Sequence, residues 1–449
     1  MRKAIIFILF TSVVFSISKY GNAQEQEKYV FDLQQAIEHA YQHNINVQNA
    51  AIDERIAKHK VNETIGIGLP QINSSFTVEY FFEQPTSLIP GEFFGEAPGS
   101  FIPLQFGTRY NATASLQASQ LLFDGTYLVG LQASKTYQDL SRKELARTKK
   151  ETAEAVAKAY YNVLVMKERT TLLDANVIRL KKLQSDTKAM YDNGFVELID
   201  VNRVTVSYNN VVTEQKKLER FFDLSVQLLK FQMGMPLSAE LTLVDELKTI
   251  DFSSSLLAPK VDYTNRIEYS QLQTLHRVNE LDLKRYRMAY LPSVSAFATL
   301  NAQAQRNEFD IFNTSKKWYP IGIVGASISL PIFTGMQRHY RIQQAKLNLE
   351  KVNNQFTQLE QVIDIEYETA KTTMLNSIEA LKIQKENMEL ADEVFRITKI
   401  KYDQGIGTNI EIIDAESSLK EAQTNYYNSL YDALIAKIEL ETATGTFIE

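Results

Sequence analysis

The chain contains no cysteine among its 449 residues, so it forms no disulfide bond and thiol chemistry is excluded. It also has no basic excess, because 48 Lys and Arg stand against 54 Asp and Glu. Binding nucleic acid requires positive charge to neutralise phosphates, so this balance argues against such a partner. Beyond the first residues, no stretch has the length and apolarity of a membrane-spanning helix, so a membrane location would require a β-barrel.

Glycine and proline are scarce, with 17 and 10 residues, and 19 of these 27 lie in the windows 66–130 and 292–335. The segments 131–193 and 336–404 contain neither residue. At 1.5 Å per residue they would form helices of about 95 and about 105 Å. Apolar residues recur in both at heptad spacing, for example at Val156, Ala159, Val163 and Met166, and at Leu349, Val352, Phe356 and Leu359. Long coiled-coil helices are therefore predicted.

The two windows rich in glycine and proline contain alternating apolar and polar residues, which predicts β-strands at about 71–83, 108–122, 293–304 and 319–330. Strands of this length can cross a bilayer when tilted. Loops at about 84–106 and 305–318 would join them in pairs. A soluble hairpin with one wet face would show the same alternation, so this alternative stays open.

The sequence also repeats itself. Tyr191-Asp192-Asn193-Gly194 returns 211 residues later as Tyr402-Asp403-Gln404-Gly405. We predict a first repeat over 24–235, a linker over 236–262 and a second repeat over 263–449. Each repeat would run helix, strand, loop, strand, very long helix, turn, helix. Since four strands cannot close a barrel, which needs about eight, the chain is expected to oligomerise.

The first residues have the layout of a secretory signal peptide. Arg2 and Lys3 precede an apolar run from Ala4 to Ile17, and Gly21-Asn22-Ala23 forms a small-x-small cleavage pattern. Residues 1–23 are therefore predicted to be removed on export.

Signs of an enzyme are weak. His39 and His43 have the i, i+4 spacing of metal ligands, but Ala40 stands where a zinc protease has glutamate. A surface or interface role explains the pair better. The chain contains no nucleophile-elbow or phosphate-loop motif, so we predict no catalytic residues, cofactor or metal.

The duplicated pattern resembles the TolC-type outer membrane efflux protein family over essentially the whole mature chain. The motifs that carry the resemblance are Phe31-Asp32-Leu33-Gln34-Gln35-Ala36-Ile37, Leu-Pro before each first strand, Phe-x-Gly before each long helix, and Tyr402 through Glu416. It implies a mainly α-helical homotrimer with a twelve-stranded transmembrane β-barrel in the outer membrane of a Gram-negative bacterium and an α-helical barrel in the periplasm.

Such a channel conducts passively and works with a periplasmic adaptor and an inner membrane pump, proton-driven or an ATPase. Export of small toxic compounds or drugs is expected. The alternatives are a type I protein secretion channel and a periplasmic coiled-coil scaffold without a barrel.

The resemblance also implies roles for four residues. Glu411 and Asp414 fall where acidic rings form the periplasmic constriction, and Asp200 and Tyr402 match positions in links that hold the tip closed. Thr408-x-x-Glu411 is also a helix capping box, so a purely structural role for Glu411 is an alternative. Where the family has a basic link residue, this chain has Gly407.

Overall fold

The computed structural model describes residues 28–247 and 262–447. The predicted signal peptide and residues 248–261 of the predicted linker lie outside them. The helices are α1 Leu33–His43, α2 Ile45–Ile67, α3 Gly125–Asp192, α4 Leu198–Met233, α5 Ile267–Met288, α6 Gln337–Asp403 and α7 Asn409–Thr444. The strands are β1 Lys28–Phe31, β2 Gln71–Tyr80, β3 Thr86–Pro90, β4 Phe101–Gln105, β5 Tyr110–Phe123, β6 Glu240–Leu243, β7 Ser293–Arg306 and β8 Tyr319–Ser329.

The four long strands form one antiparallel sheet in the order β2-β5-β7-β8. Their register places Ser75, Ser115 and Asn301 side by side, and the Ser115 hydroxyl donates to Asn301 Oδ1 at 2.7 Å. Successive side chains along a strand point to opposite faces of the sheet. The residues next to these polar ones therefore lie on the other face, where apolar side chains are exposed. That apolar face includes Ile72, Phe76, Leu116, Leu300 and Val324.

Phe297 breaks the alternation of β7, and its position has a local cause. A Cβ built on Gly325, its partner in β8, would lie 2.7 Å from the tip of the Phe297 ring. The ring therefore covers the backbone of the glycine, a known way to support a strand that lacks a side chain.

The segment predicted as a loop at 84–106 contains a second hairpin. Strands β3 and β4 pair only with each other, with Leu88 opposite Pro103 and Pro90 opposite Phe101. The prolines suggested irregular structure, but a two-stranded ladder leaves outer edges where a missing N–H costs nothing. A parallel pair, β1 with β6, was also not expected, and β6 lies in the predicted linker.

The long helices pack side by side in one layer. Beside the sheet their order is α2-α3-α5-α6, and further away it is α4-α3-α7-α6. Strands β2, β5, β7 and β8 adjoin α2, α3, α5 and α6 along the chain, so strands and helices have the same order across the molecule. In the described residues, no helix is both long and apolar enough to cross a membrane.

The largest core lies where α1, α3 and α4 meet, about midway along α3. Tyr160 is fully buried there, and its hydroxyl donates to Phe31 O at 3.2 Å and to Asp245 Oδ2 at 2.8 Å. Burial, and then the nearby Asp245 carboxylate, raises the pKa of Tyr160, so the phenol keeps its proton. This core joins the β1–β6 pair to the helical layer.

Candidate functional site

The site lies at the end of the helical layer far from the sheet, where two helix turns stand side by side. In the first, Gly194 N–H donates to Tyr191 O and Phe195 N–H to Met190 O, both at 2.9 Å. In the second, Gly405 and Ile406 repeat both bonds at 3.0 Å. This pair of hydrogen bonds defines the Schellman motif. The motif requires a positive φ at the glycine, and φ is 79° at Gly194 and 71° at Gly405.

Each following helix begins with a capping box, as predicted for Thr408 and Glu411. Glu411 N–H donates to Thr408 Oγ1 at 3.3 Å, and Thr408 N–H donates to Glu411 Oε2 at 3.2 Å. In α4, Glu197 N–H donates to Asp200 Oδ2 at 3.3 Å. Glu411 and Asp414 are both exposed, on the face of α7 opposite the buried Ile412. Their carboxylates are therefore free to act on solvent ions as well as on the helix terminus.

Near the turns, Tyr402 and Asn409 join the second helical hairpin, α6–α7, to the first, α3–α4, by hydrogen bonds. The Tyr402 hydroxyl lies 2.9 Å from Thr187 Oγ1, and both side chains are buried. Asn409 Nδ2 donates to Asp200 O at 2.9 Å and to Asp200 Oδ1 at 3.3 Å. Tyr402 and Asp200 thus take part in separate links, and in the described residues no hydrogen bond joins them to each other.

Gly407 has a steric role in the second turn. A Cβ at this position would lie 2.9 Å from Tyr402 N and 3.1 Å from Lys401 C, which are backbone atoms. The close approach arises because Ile406 N–H and Gly407 N–H both donate to Lys401 O, at 3.0 and 3.1 Å. A basic side chain cannot occupy this turn without opening it, so this chain links its hairpins through Tyr402 and Asn409 instead.

About two turns into α7 lies a polar cluster of the buried residues Glu416, Asn176 and Gln423 with the half-buried Arg179. Glu416 is 4 % exposed, and its nearest cation is Arg179, whose Nη2 lies 3.5 Å from Oε1. Among the described residues, neither carboxylate oxygen accepts a hydrogen bond. Arg179 donates instead to Asn176, whose Nδ2 donates to Gln423 Oε1 at 3.2 Å. Burial raises the pKa of Glu416, and the Arg179 charge opposes this shift only in part.

The cluster borders a cavity of about 130 Å³ between α3, α6 and α7. Arg179 also lies over the ring of Phe395 in α6, at 5.3 Å from the ring centre. The cluster and its cavity therefore contact α3, α6 and α7.

Sequence reasoning singled out Asp200, Tyr402, Glu411 and Asp414 but not the partners Thr187, Asn409, Arg179 and Glu416. One signal was available for Glu416. It follows Ile412 by four residues and precedes Leu419 by three, which places it in the apolar stripe of α7. A carboxylate in such a stripe indicates a buried charge, which needs a partner from another helix.

His39 and His43 lie in the large core region, away from the turns. Their rings stack at 4.1 Å, and each Nδ1 faces a backbone carbonyl, Met233 O at 3.2 Å and His39 O at 3.0 Å. Burial and then the neighbouring His43 lower the pKa of His39. The surface or interface role expected from the sequence stays a prediction, and His43 is exposed.

Comparison with known proteins gives a consistent picture. A family model described as "Outer membrane efflux protein" matches residues 279–446. The outer membrane protein TolC of Vibrio cholerae is 22 % identical over 346 residues, 75 % of this chain and 77 % of that protein. TolC of Escherichia coli is 21 % identical over 453 residues, 97 % of this chain and 85 % of that protein.

The outer membrane protein VceC of Vibrio cholerae, known from its crystal structure, has the same fold. Its TM-score is 0.70 at 18 % identity, and the match covers 93 % of this chain and 97 % of that one. In sequence and in fold, the chain is thus similar to the TolC-type outer membrane efflux proteins.

Proposed function

We propose that this chain is the outer membrane channel of a tripartite export system. Three copies form a twelve-stranded barrel that continues as a helical tunnel across the periplasm. The tube is a passive conduit and not a catalyst. A periplasmic adaptor connects it to an inner membrane pump, proton-driven or an ATPase, which supplies the energy.

One observation carries this proposal: both edges of the protomer are incomplete in the same way. Strands β2 and β8 end the sheet, so each has backbone groups without a ladder partner within it. The helices that adjoin these strands, α2 and α6, also end the helical layer. Because strand order and helix order agree, one neighbouring copy can complete the sheet and the helical layer together.

The edge helices expose the apolar residues that such a neighbour would cover. On α6, Ile383, Leu390, Val394 and Ile397 recur at steps of seven, four and three, a heptad stripe separate from the buried one. On α4, the exposed apolar residues include Phe221, Leu224, Leu228 and Phe231. A soluble helix that ended its layer in water would carry polar residues at these positions.

The trimer and its channel are tested by introducing charge into the α6 stripe. Leu390→Asp places a carboxylate in the proposed seam, where burial without a partner costs several kcal/mol. We expect loss of the trimer in cross-linking and native mass spectrometry, and loss of current in planar bilayers. Lys385→Glu, an exposed change on another face of the same helix, should keep both. A Leu390→Asp trimer that still conducts would contradict this interface.

A detergent-free mature chain that stayed soluble and monomeric would refute the channel and favour the periplasmic scaffold. For cargo, we propose small toxic compounds or drugs. Expression in a strain that lacks its own outer membrane export channel should restore drug resistance. Restored secretion of a protein substrate without restored resistance would favour the type I secretion alternative.

The proposed constriction is formed by Glu411 and Asp414 from three copies, whose charges would concentrate cations at the narrow end. The double variant Glu411→Gln, Asp414→Asn removes the charge but leaves groups that can still cap α7. We expect reduced cation selectivity and reduced block by divalent cations in single-channel recordings. Thr408→Ala, which removes the cap and keeps the charges, should leave selectivity unchanged. The opposite pattern would assign these carboxylates to capping alone.

A further inference from the structure

The two loops at the far end of the sheet differ in where they lie. The β3–β4 hairpin forms its own two-stranded sheet beyond β2 and β5. The other loop, residues 307–318 between β7 and β8, folds back onto the apolar face of the sheet. Its Ile311 is only 1 % exposed, because it packs against Ala112 of β5 and Ala304 of β7 with Trp318 beside it.

The sheet has room for this loop. Alanine occurs at several positions on this face of β5 and β7, and the pair beneath the loop, Ala112 and Ala304, leaves space for the Ile311 side chain. The loop is also internally ordered: Asn313 N–H donates to Asp310 O at 2.9 Å, and the Ser315 hydroxyl donates to Asn313 Oδ1 at 2.7 Å. The contact is thus a built feature of the fold.

The loop also covers a cation. By the alternation of β7, Arg306 belongs to the apolar face, yet its side chain is only 10 % exposed. Its Nε lies 3.5 Å from Asp310 Oδ1, and its Nη2 donates to Lys317 O at 2.8 Å. The loop therefore hides a guanidinium that would otherwise stand on an apolar surface.

In place of Arg306 the loop presents aromatic rings. Phe309 is 62 % exposed and Phe312 is 74 % exposed, and Phe309 meets the Tyr110 ring edge to face at 5.6 Å. Tyr110 in turn lies 4.9 Å from Tyr80, and Trp318 lies 6.3 Å from Phe76. The exposed rings thus extend the apolar face of the sheet up to its end, and Lys316, paired with Asp310, lies beside them.

We infer that residues 307–318 are a membrane anchor, seated in the outer leaflet where acyl chains meet headgroups. This inference rests on the proposed function, because it requires the apolar face of the sheet to face lipid. Aromatic rings beside polar groups are favoured at this depth. The β3–β4 hairpin, which leaves the sheet, would instead stand in water at the mouth of the channel.

The single tryptophan of the chain makes the test direct. In a Trp318→Phe background, Phe312→Trp reports on the loop and Phe93→Trp reports on the β3–β4 hairpin. Each trimer is reconstituted into phosphatidylcholine vesicles with bromines near the headgroup end of the acyl chains. We expect roughly twofold quenching of the F312W reporter by brominated lipid and little by acrylamide. The F93W reporter should show the reverse.

Bilayer current from the same preparations separates the possible failures. If the trimers conduct and acrylamide, but not brominated lipid, quenches F312W, the anchor is wrong and the channel stands. If neither agent quenches it, the loop is covered by a second copy and the anchor is again wrong. If neither the unmodified chain nor the Trp318→Phe parent forms a trimer or carries current, the proposed function fails and the anchor fails with it.

Discussion

The two helical hairpins have the same lengths and the same turns, but they are buried in opposite ways. Helices α3 and α6 have 68 and 67 residues, and α4 and α7 have 36 each. In the first hairpin the long helix is well buried and the short one exposed. In the second hairpin α7 is buried and α6 is exposed. The buried pair, α3 and α7, lies in the middle of the layer, and α4 and α6 are its edges.

In the proposed trimer, this difference would let a duplicated sequence build a ring. Each repeat contributes one central helix and one edge helix to the part of the layer near the turns, so equivalent residues of the two repeats meet different surroundings. The pairs Gly407 and Val196, Tyr402 and Tyr191, and Glu416 and Thr205 are related by the 211-residue offset. Comparing the effects of variants within each pair shows which residues stabilise the second hairpin but not the first.

The largest effect is expected at Gly407. Gly407→Ala places a Cβ against the backbone of Lys401 and Tyr402, which can yield only if the last turn of α6 opens. We expect a loss of about 3 kcal/mol, the upper part of the range for overpacking, measured by urea unfolding in detergent. Val196→Ala should change stability by less than about 1 kcal/mol because that residue already has a Cβ. Equal losses would show that the two turns are equally tight.

A smaller effect is expected at Tyr402. Tyr402→Phe leaves the buried Thr187 hydroxyl without its partner across the hairpins. The expected loss is about 1–2 kcal/mol of unfolding free energy, together with more frequent opening in single-channel recordings. The equivalent change in the first repeat, Tyr191→Phe, alters a side chain that is 39 % exposed and should have little effect. If both changes raised the frequency of channel opening equally, the Tyr402–Thr187 hydrogen bond would be excluded as a link between the hairpins.

The smallest effect is expected at Glu416 and appears as a dependence on pH. Because its pKa is raised, the folded chain binds this proton more readily than the unfolded chain does. Unfolding free energy therefore falls as pH rises from the usual glutamate range through the raised pKa, and it is flat beyond. Glu416→Gln should remove this slope and leave the chain at least as stable at neutral pH. Glu421→Gln, on the exposed face of α7, should preserve the slope. A slope that survives Glu416→Gln would assign it to other groups.

Much of the fold could be predicted from the sequence because it depends on local patterns of residues. The absence of glycine and proline predicted the two long helices, and alternation predicted strands close to the observed β2, β5, β7 and β8. The hairpin β3–β4 was missed because four prolines hid its alternation, and the β1–β6 pair was missed because its strands are far apart in the sequence. The division into two repeats and a linker stays a prediction.

The candidate site could be predicted only in part, because only some of its residues belong to a local sequence pattern. The motif from Tyr402 to Glu416 drew attention to the second turn, and the capping box at Thr408 is confirmed. Its partners Thr187, Arg179 and Asp200 come from the other hairpin, and no local pattern in the sequence indicates which residues meet across a helical layer. Gly407 was read as a missing charge, whereas the structure shows a turn too tight for any side chain.

The shared order of strands and helices has a consequence for assembly. If three copies close the proposed ring, an incomplete ring of two copies would leave a sheet edge open to lipid and an apolar helical seam open to water at the same time. Adding the last copy removes both exposures in one step. Partial rings should therefore be short-lived, and single copies and complete trimers should dominate any population sampled during biogenesis.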